Sequence, residues 1–152
     1  MSSEAGNPIE FTIDKFTFRF PKDLKFSEAG IWIKQEGIRL RLGLSDFAQQ
    51  RSGDVAFINL VQPGTELNAG DEFASIETIK VNISLPSPVK GTILEINAAV
   101  QEAPELINLE PYTRGWMVTM QAEDLKRQMS LLLNAKTYVA LAKEQAETDL
   151  KS

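Results

Sequence analysis

The stretch IETIKVNISLPSPVKG, residues 76–91, places one lysine between two short segments of strand-forming side chains. These segments are residues 72–79 and 83–85, and Lys80 lies between them. Apolar side chains that recur with a period of two are typical of a strand with one buried face. A loop tip is exposed while its strands fix its position. The stretch therefore predicts a β-hairpin that presents Lys80 to solvent.

Similar short apolar segments lie on both sides of this hairpin and are bounded by Gly, Pro and Asp. Short strands at regular spacing predict a sandwich or a barrel. The first segment, residues 9–20, is predicted as one strand that ends at Pro21. The further predicted strands are residues 31–33, 38–42, 55–61 and 91–96.

Two segments have a helical pattern instead. Ser45 and Asp46 are suited to cap a short helix that ends near Gln50. Residues 123–151 contain good helix formers and almost no turn residues, so they predict a C-terminal helix with Asn134 as a candidate interruption. We expect its apolar stripe to pack on the sheet, through Leu125, Met129, Leu132, Leu133, Tyr138, Val139, Leu141 and Ala142.

The length and charge of the chain limit the kind of protein that it can be and the partners that it can bind. A chain of 152 residues suits one domain with a buried core. We expect a flexible N-terminus at residues 1–8, a single domain at residues 9–146 and a fraying C-terminus at residues 147–152. Because 16 basic and 21 acidic residues give a net charge of −5, nucleic acids and anionic membranes are disfavoured as partners. No apolar run has the length of a membrane span, and the first nine residues lack a signal-peptide pattern, so we expect a cytoplasmic protein.

The chain contains neither cysteine nor histidine. Catalysis by Ser-His-Asp or Cys-His groups is therefore excluded, and so are disulfides and thiolate metal sites. No pairing of carboxylates is specific enough to indicate a catalytic or a metal site. The composition still leaves a carboxylate-based site or an oxygen-ligand metal site open.

The hairpin stretch resembles the lipoylation hairpin of the glycine cleavage H-protein family. In that family a Glu, a small hydroxyl residue and an aliphatic residue precede the modified lysine, and a Pro and a Gly follow at fixed distances. This pattern matches Glu77, Thr78, Ile79, Lys80, Pro88 and Gly91.

The resemblance extends over residues 24–141. Residues 43–49 read GLSDFAQ and resemble a family segment, as do residues 53–55 and 63–64. A second signature segment matches Asn108, Pro111, Tyr112, Gly115 and Trp116, and Trp32 corresponds to an early family tryptophan. Several motifs in the right order are much more specific than any one of them alone. Tyr112 and Trp116 are interpreted as packing residues rather than ligand contacts.

The resemblance implies a mainly β, lipoyl-domain-like barrel-sandwich hybrid with a short internal helix and a C-terminal helix. It implies a carrier protein, not an enzyme, with lipoate covalently bound to Lys80. Glu77 is a candidate for recognition by the ligase. A biotin carrier is disfavoured because Ile79 and Val81 stand where biotin carriers have methionine.

The implied partners are a lipoate ligase or lipoyl transferase, a dihydrolipoyl dehydrogenase and the glycine cleavage enzymes. One departure from the family keeps other functions open: Gly30 and Ile31 replace a His-Glu pair before the early tryptophan. The replacement either turns a polar site on the surface into an apolar one, or it is a local variation within a strand. The first alternative function, which the missing His-Glu pair favours, is an H-like sulfur carrier for a heterodisulfide-reductase-like complex. The second is an interaction module without a lipoyl group.

Overall fold

The computed structural model describes residues 7–151. The predicted flexible N-terminus lies mostly outside this range, and so does the last residue of the predicted fraying C-terminus. The strands are β1 (Ile9–Ile13), β2 (Phe16–Phe20), β3 (Lys25–Phe26), β4 (Ile31–Glu36), β5 (Arg39–Leu44), β6 (Val55–Leu60), β7 (Glu66–Leu67), β8 (Glu72–Thr78), β9 (Asn82–Pro86), β10 (Gly91–Ile96), β11 (Val118–Ala122) and β12 (Leu133–Asn134). The helices are α1 (Asp46–Ser52), α2 (Ala98–Glu102), α3 (Leu106–Leu109), α4 (Leu125–Ser130) and α5 (Ala135–Lys151).

Two antiparallel sheets enclose the main core. Among the described residues, one sheet has seven strands in the order β12-β3-β4-β5-β11-β10-β7, and the other has three in the order β9-β8-β6. Leu42 of the large sheet and Ile58 and Ile76 of the small sheet belong to one cluster of buried side chains. The predicted mainly β class and its barrel-sandwich arrangement are confirmed.

The first predicted strand is wrong in one respect, because residues 9–20 form a hairpin rather than one strand. Asp14 has a positive φ of 56° and lies in the turn between β1 and β2. Phe11 pairs with Phe18 across the hairpin, so the apolar residues of both strands share one face. The sequence did contain a sign of this hairpin: the apolar residues are two positions apart except between Ile13 and Phe16, where a two-residue turn makes the spacing three.

The hairpin of β1 and β2 and helix α5 build a second, aromatic core. Phe20, Phe26 and Tyr138 are almost completely buried there. The rings of Phe26 and Tyr138 stack with their centroids 4.8 Å apart. Aromatic pairs of this kind stabilise a core beyond the apolar area that they bury.

The C-terminal prediction of one helix over residues 123–151 is also wrong in part. Helix α4 ends at Ser130, and Leu133 then pairs with Phe26 as β12 before α5 begins. The Asn134 side chain accepts a hydrogen bond from the Thr137 amide at 2.8 Å and caps the new helix. The expected apolar stripe is therefore divided, with Leu125, Met129 and Leu132 against the main core and Tyr138, Val139 and Ala142 in the aromatic core.

Helix α1 forms as predicted. The Ser45 hydroxyl accepts a hydrogen bond from the Ala48 amide at 3.2 Å, and Asp46 lies in the first turn. This pairing is the usual N-terminal cap of a helix. Helices α2 and α3 are short additions that the apolar periodicity did not indicate, whereas α4 lies within the predicted C-terminal helix.

Candidate functional site

Strands β8 and β9 form the hairpin that carries Lys80. Glu77 pairs with Asn82 at its end, and the amide of Thr78 donates a hydrogen bond to the carbonyl of Val81 at 2.9 Å. Lys80 lies in the turn that this hydrogen bond closes, and its side chain is exposed. The structure therefore places the predicted lysine at the tip of a hairpin.

The Thr78 side chain fastens the turn from within. Its hydroxyl oxygen accepts hydrogen bonds from the amides of Lys80 at 3.2 Å and Val81 at 3.1 Å. Threonine hydroxyls often satisfy turn amides in this way. The small hydroxyl residue of the motif thus fixes the backbone of Lys80 and leaves its side chain free to move.

The charged groups of the tip are unpaired in the described part of the chain. Lys80, Glu77 and Asp54 have exposed side chains, and none of the salt bridges among residues 7–151 includes them. The structure therefore does not bring Glu77 into an ion pair with Lys80. Both groups remain available to another molecule.

Asn108 of α3 links the end of α1 to β6, the strand that pairs with the first strand of the hairpin. Its side chain accepts a hydrogen bond from the Val55 amide at 2.9 Å and donates to the Gly53 carbonyl at 3.0 Å and to Gln49 at 2.9 Å. Val55 pairs with Thr78 across the small sheet. Asn108 therefore holds β6 in place, and β6 pairs with the end of β8 next to the lysine turn.

Close packing of the strands accounts for the glycine at position 91, the last position of the hairpin motif. It pairs with Ala122 on one side and with Leu67 on the other. A Cβ atom at Gly91 would lie 2.3 Å from the carbonyl oxygen of Gln121, which is far inside van der Waals contact. Only glycine allows these strands to approach so closely.

A groove adjoins the second strand of the hairpin. It has a volume of about 450 Å³, and Val81 and Ile83 form part of its wall. Arg51 and Asp149 line it from the other side and form an ion pair at 2.8 Å. Val81, the residue after Lys80 in the sequence, thus joins the lysine turn to a partly apolar groove.

Gly30 and Ile31, which stand where the family has a His-Glu pair, lie inside the fold. Gly30 has a φ of +91°, and a Cβ atom there would lie 2.7 Å from the Cβ of Ala48 and 3.1 Å from the Tyr138 hydroxyl. Ile31 is fully buried in the main core. A histidine at position 30 would be strained and would collide with these neighbours, so the structure favours the strand variant over an apolar surface spot.

Two tyrosines near this position are buried and hydrogen-bonded. Tyr138 and Ser45 share a hydrogen bond of 3.1 Å between their hydroxyls. The Tyr112 hydroxyl accepts from the Asp46 amide at 3.0 Å and donates to the Arg19 carbonyl at 2.6 Å. Burial raises the pKa of both phenols above the ordinary value near 10. Both groups act as packing and bonding residues in their neutral form.

Trp32 and Trp116 also have structural partners. The Trp32 ring nitrogen donates to the Pro111 carbonyl at 2.8 Å. The guanidinium of Arg41 lies 4.4 Å from the Trp116 ring centre, in the range of a cation–π contact. These contacts agree with the interpretation of Trp116 and Tyr112 as packing residues.

Residues 7–151 contain neither an acidic cluster suited to a metal ion nor a helix suited to a membrane. No group of three or more Asp and Glu side chains is arranged to hold a metal ion. In the same range, no helix combines the length and apolarity that a membrane crossing requires.

Comparisons with known proteins agree on one family. The family model described as "Glycine cleavage H-protein" matches residues 24–145. The glycine cleavage system H protein of Geobacillus thermodenitrificans is 38% identical over 124 residues, which are 82% of this chain and 97% of that protein. The corresponding protein of Carboxydothermus hydrogenoformans is 39% identical over 127 residues, with 84% and 97% coverage.

A solved structure supports the same relationship. The crystal structure of a glycine cleavage system H protein from Mycobacterium marinum aligns with a TM-score of 0.70 at 26% identity. The alignment covers 80% of this chain and 97% of that one. The β1–β2 hairpin and the last turns of α5 lie outside the residues that the family model matches.

Proposed function

The chain belongs to the glycine cleavage H-protein family, and from this membership we propose that it carries a lipoyl group in amide linkage on Lys80. Membership of this family makes the chain a lipoyl-carrier protein of glycine cleavage. The attachment residue is our inference from the hairpin. This inference rests on one observation. The Thr78 hydroxyl fixes the turn around Lys80 by hydrogen bonds, while the lysine side chain is exposed and unpaired in the described chain.

The residues around Lys80 fit a lipoyl group. An attaching enzyme needs an accessible amine at a fixed position, and the Thr78 turn provides both. The groove beside Val81 and Ile83 offers the attached arm an apolar wall. The dithiolane ring of a bound lipoyl group supplies thiol–disulfide chemistry, which a chain without cysteine lacks.

In this proposal the chain itself does not catalyse a reaction. It presents the arm, and the chemistry takes place in partner enzymes: a lipoate ligase or lipoyl transferase, the glycine cleavage enzymes and a dihydrolipoyl dehydrogenase. We place these steps in the cytoplasm. The named relatives favour glycine cleavage over the sulfur-carrier and lipoyl-free alternatives.

Attachment is tested by mass spectrometry after co-expression with a lipoate ligase and added lipoate. We expect one lipoyl group on the wild-type protein and none on Lys80→Arg. Lys90→Arg is the matched control, because Lys90 is also exposed and follows the same hairpin. A lipoyl group on Lys80→Arg, or an unmodified wild-type protein with several ligases, would contradict the proposal.

A further inference from the structure

The β1–β2 hairpin, which lies outside the residues that the family model matches, has one covered edge along β2. The Arg19 amide donates to the Asp46 carboxylate at 2.9 Å, and the Arg19 carbonyl accepts from the Tyr112 hydroxyl at 2.6 Å. The Thr17 carbonyl accepts from the Gln50 side chain at 3.1 Å. Side chains of the fold thus bind the backbone groups that β2 points outward.

The other edge of the hairpin, along β1, is open. Pairs in an antiparallel ladder alternate between hydrogen-bonded pairs and pairs whose backbone groups point outward. Arg19 and Thr17 point outward, so their partners Glu10 and Thr12 point their amides and carbonyls away from β2. Within residues 7–151, no strand pairs with this edge, and no hydrogen bond takes these backbone groups. The edge of β1 is therefore available to another strand.

The apolar side chains of β1 are also less covered than those of β2. Phe18 and Phe20 of β2 are 5% and 0% exposed in the aromatic core. Phe11 and Ile9 lie opposite them on the same face and are only half-buried, as is Ile13. A strand added next to β1 would extend this apolar face and cover these three side chains.

We propose that the open edge of β1 binds the same edge of a second copy of this chain, so that two hairpins form one continuous antiparallel sheet. With Phe11 opposite the partner's Phe11, Glu10 lies opposite the partner's Thr12. Ile9 then lies opposite the partner's Ile13, so the apolar side chains share one face. Because Glu10 and Thr12 have the free backbone groups, each exchanges both of its hydrogen bonds with the other, once on each side of the twofold axis.

The sequence of β1 disfavours the other registers. A slip of two residues puts Glu10 opposite either the partner's Glu10 or the partner's Asp14, and like charges that face each other destabilise a sheet. A slip of one residue turns the apolar face of one copy to the polar face of the other. The pairing ends at Pro8, which has no amide, and at Asp14 in the turn. This self-complementary pattern favours a second copy over an unrelated strand.

The contact is short, so the dimer should be weak and reversible. We expect a Kd between about 10 µM and 1 mM, since one strand pair buries less than a standard interface. The proposal does not involve Lys80. A monomeric protein would therefore contradict the dimer and leave the proposed function unaffected.

Sedimentation equilibrium of the full chain, from about 5 µM to 1 mM, measures the Kd. About 0.3 M salt screens the two Lys143 amines, each of which lies 5.7 Å from its Phe11 ring centre. We expect Thr12→Glu to raise the Kd about fivefold, because it sets a carboxylate opposite the partner's Glu10. Thr12→Lys should lower the Kd about fivefold by the opposite charge. The two variants are matched, since both lose the 2.8 Å hydrogen bond to Thr17.

Hydrogen exchange at the amides of Glu10 and Thr12 identifies what covers the edge. Protection that rises with protein concentration, in step with the dimer, supports the proposal. Protection that does not depend on concentration would overturn it, because the chain's own first residues would then cover the edge. Amides that exchange freely at every concentration would also overturn it and leave the edge to a different protein. Equal Kd values for Thr12→Glu and Thr12→Lys would contradict the register.

Discussion

Gly30 lies at the start of β4, in a left-handed backbone conformation with φ of +91° and in contact with Ala48 and Tyr138. We expect Gly30→Ala to destabilise the protein by about 2–4 kcal/mol, because backbone strain and the 2.7 Å approach to the Ala48 Cβ both oppose the new methyl group. Urea denaturation measures the loss. Gly37→Ala is the control, since Gly37 has φ of +68° but nothing within 4 Å of its Cβ position. Equal losses in both variants would show that the close approach has no cost.

The buried tyrosines predict a pH dependence of stability. The pKa of Tyr112 is higher in the folded protein than its ordinary value near 10. The unfolded chain therefore loses this proton at a lower pH than the folded protein, so the stabilising contribution is complete below about pH 10 and declines as the pH rises further. We expect the free energy of unfolding to fall between about pH 9 and 11, and to fall less in Tyr112→Phe. Urea denaturation at both pH values checks this, and equal slopes for both proteins would contradict it.

At the residue scale, the sequence identified the motif residues but not the contacts that require those residue types. The spacing of Glu77, Lys80 and Gly91 located the site, but the sequence did not show that Gly91 is fixed by the Gln121 carbonyl. The role of Asn108 as a link between α1 and β6 was equally hidden, since its partners lie more than fifty residues away. Contacts between distant segments do not leave a local pattern in the sequence.

At the element scale, the β1–β2 hairpin is part of the core rather than an appendage. Phe20 is completely buried among the rings of the aromatic core, whereas Phe16 is 45% exposed. We expect Phe20→Ala to cost about 3–5 kcal/mol in the free energy of unfolding, and Phe16→Ala to cost about 1 kcal/mol or less. Thermal or urea unfolding measures both. Similar costs would contradict the assignment of the hairpin to the core.

The errors in predicted elements share one physical cause. The apolar residues alternate within residues 9–13 and again within residues 16–20, and the pairing of these two strands turns the slip between Ile13 and Phe16 into a hairpin. The pairing of Leu133 with Phe26 likewise interrupts a segment of good helix formers. Tertiary contacts override local propensity at both places.

At the scale of the whole molecule, two sheets and two cores hold one lysine turn in a fixed position. The strand spacing and the motifs were sufficient to predict the class of fold and the family. The second core was not predictable, because it joins the first and the last elements of the described chain. The β1–β2 hairpin lies outside the residues matched by the family model, whereas α5 lies mostly inside them.

The most direct test of the account is the exchange of labelled bicarbonate into glycine with purified glycine cleavage enzymes. We expect exchange with the wild-type protein after lipoylation, and none with Lys80→Arg treated in the same way. A fully lipoylated wild-type protein without exchange, or exchange supported by Lys80→Arg, would contradict the claim that this chain carries the glycine cleavage arm on Lys80.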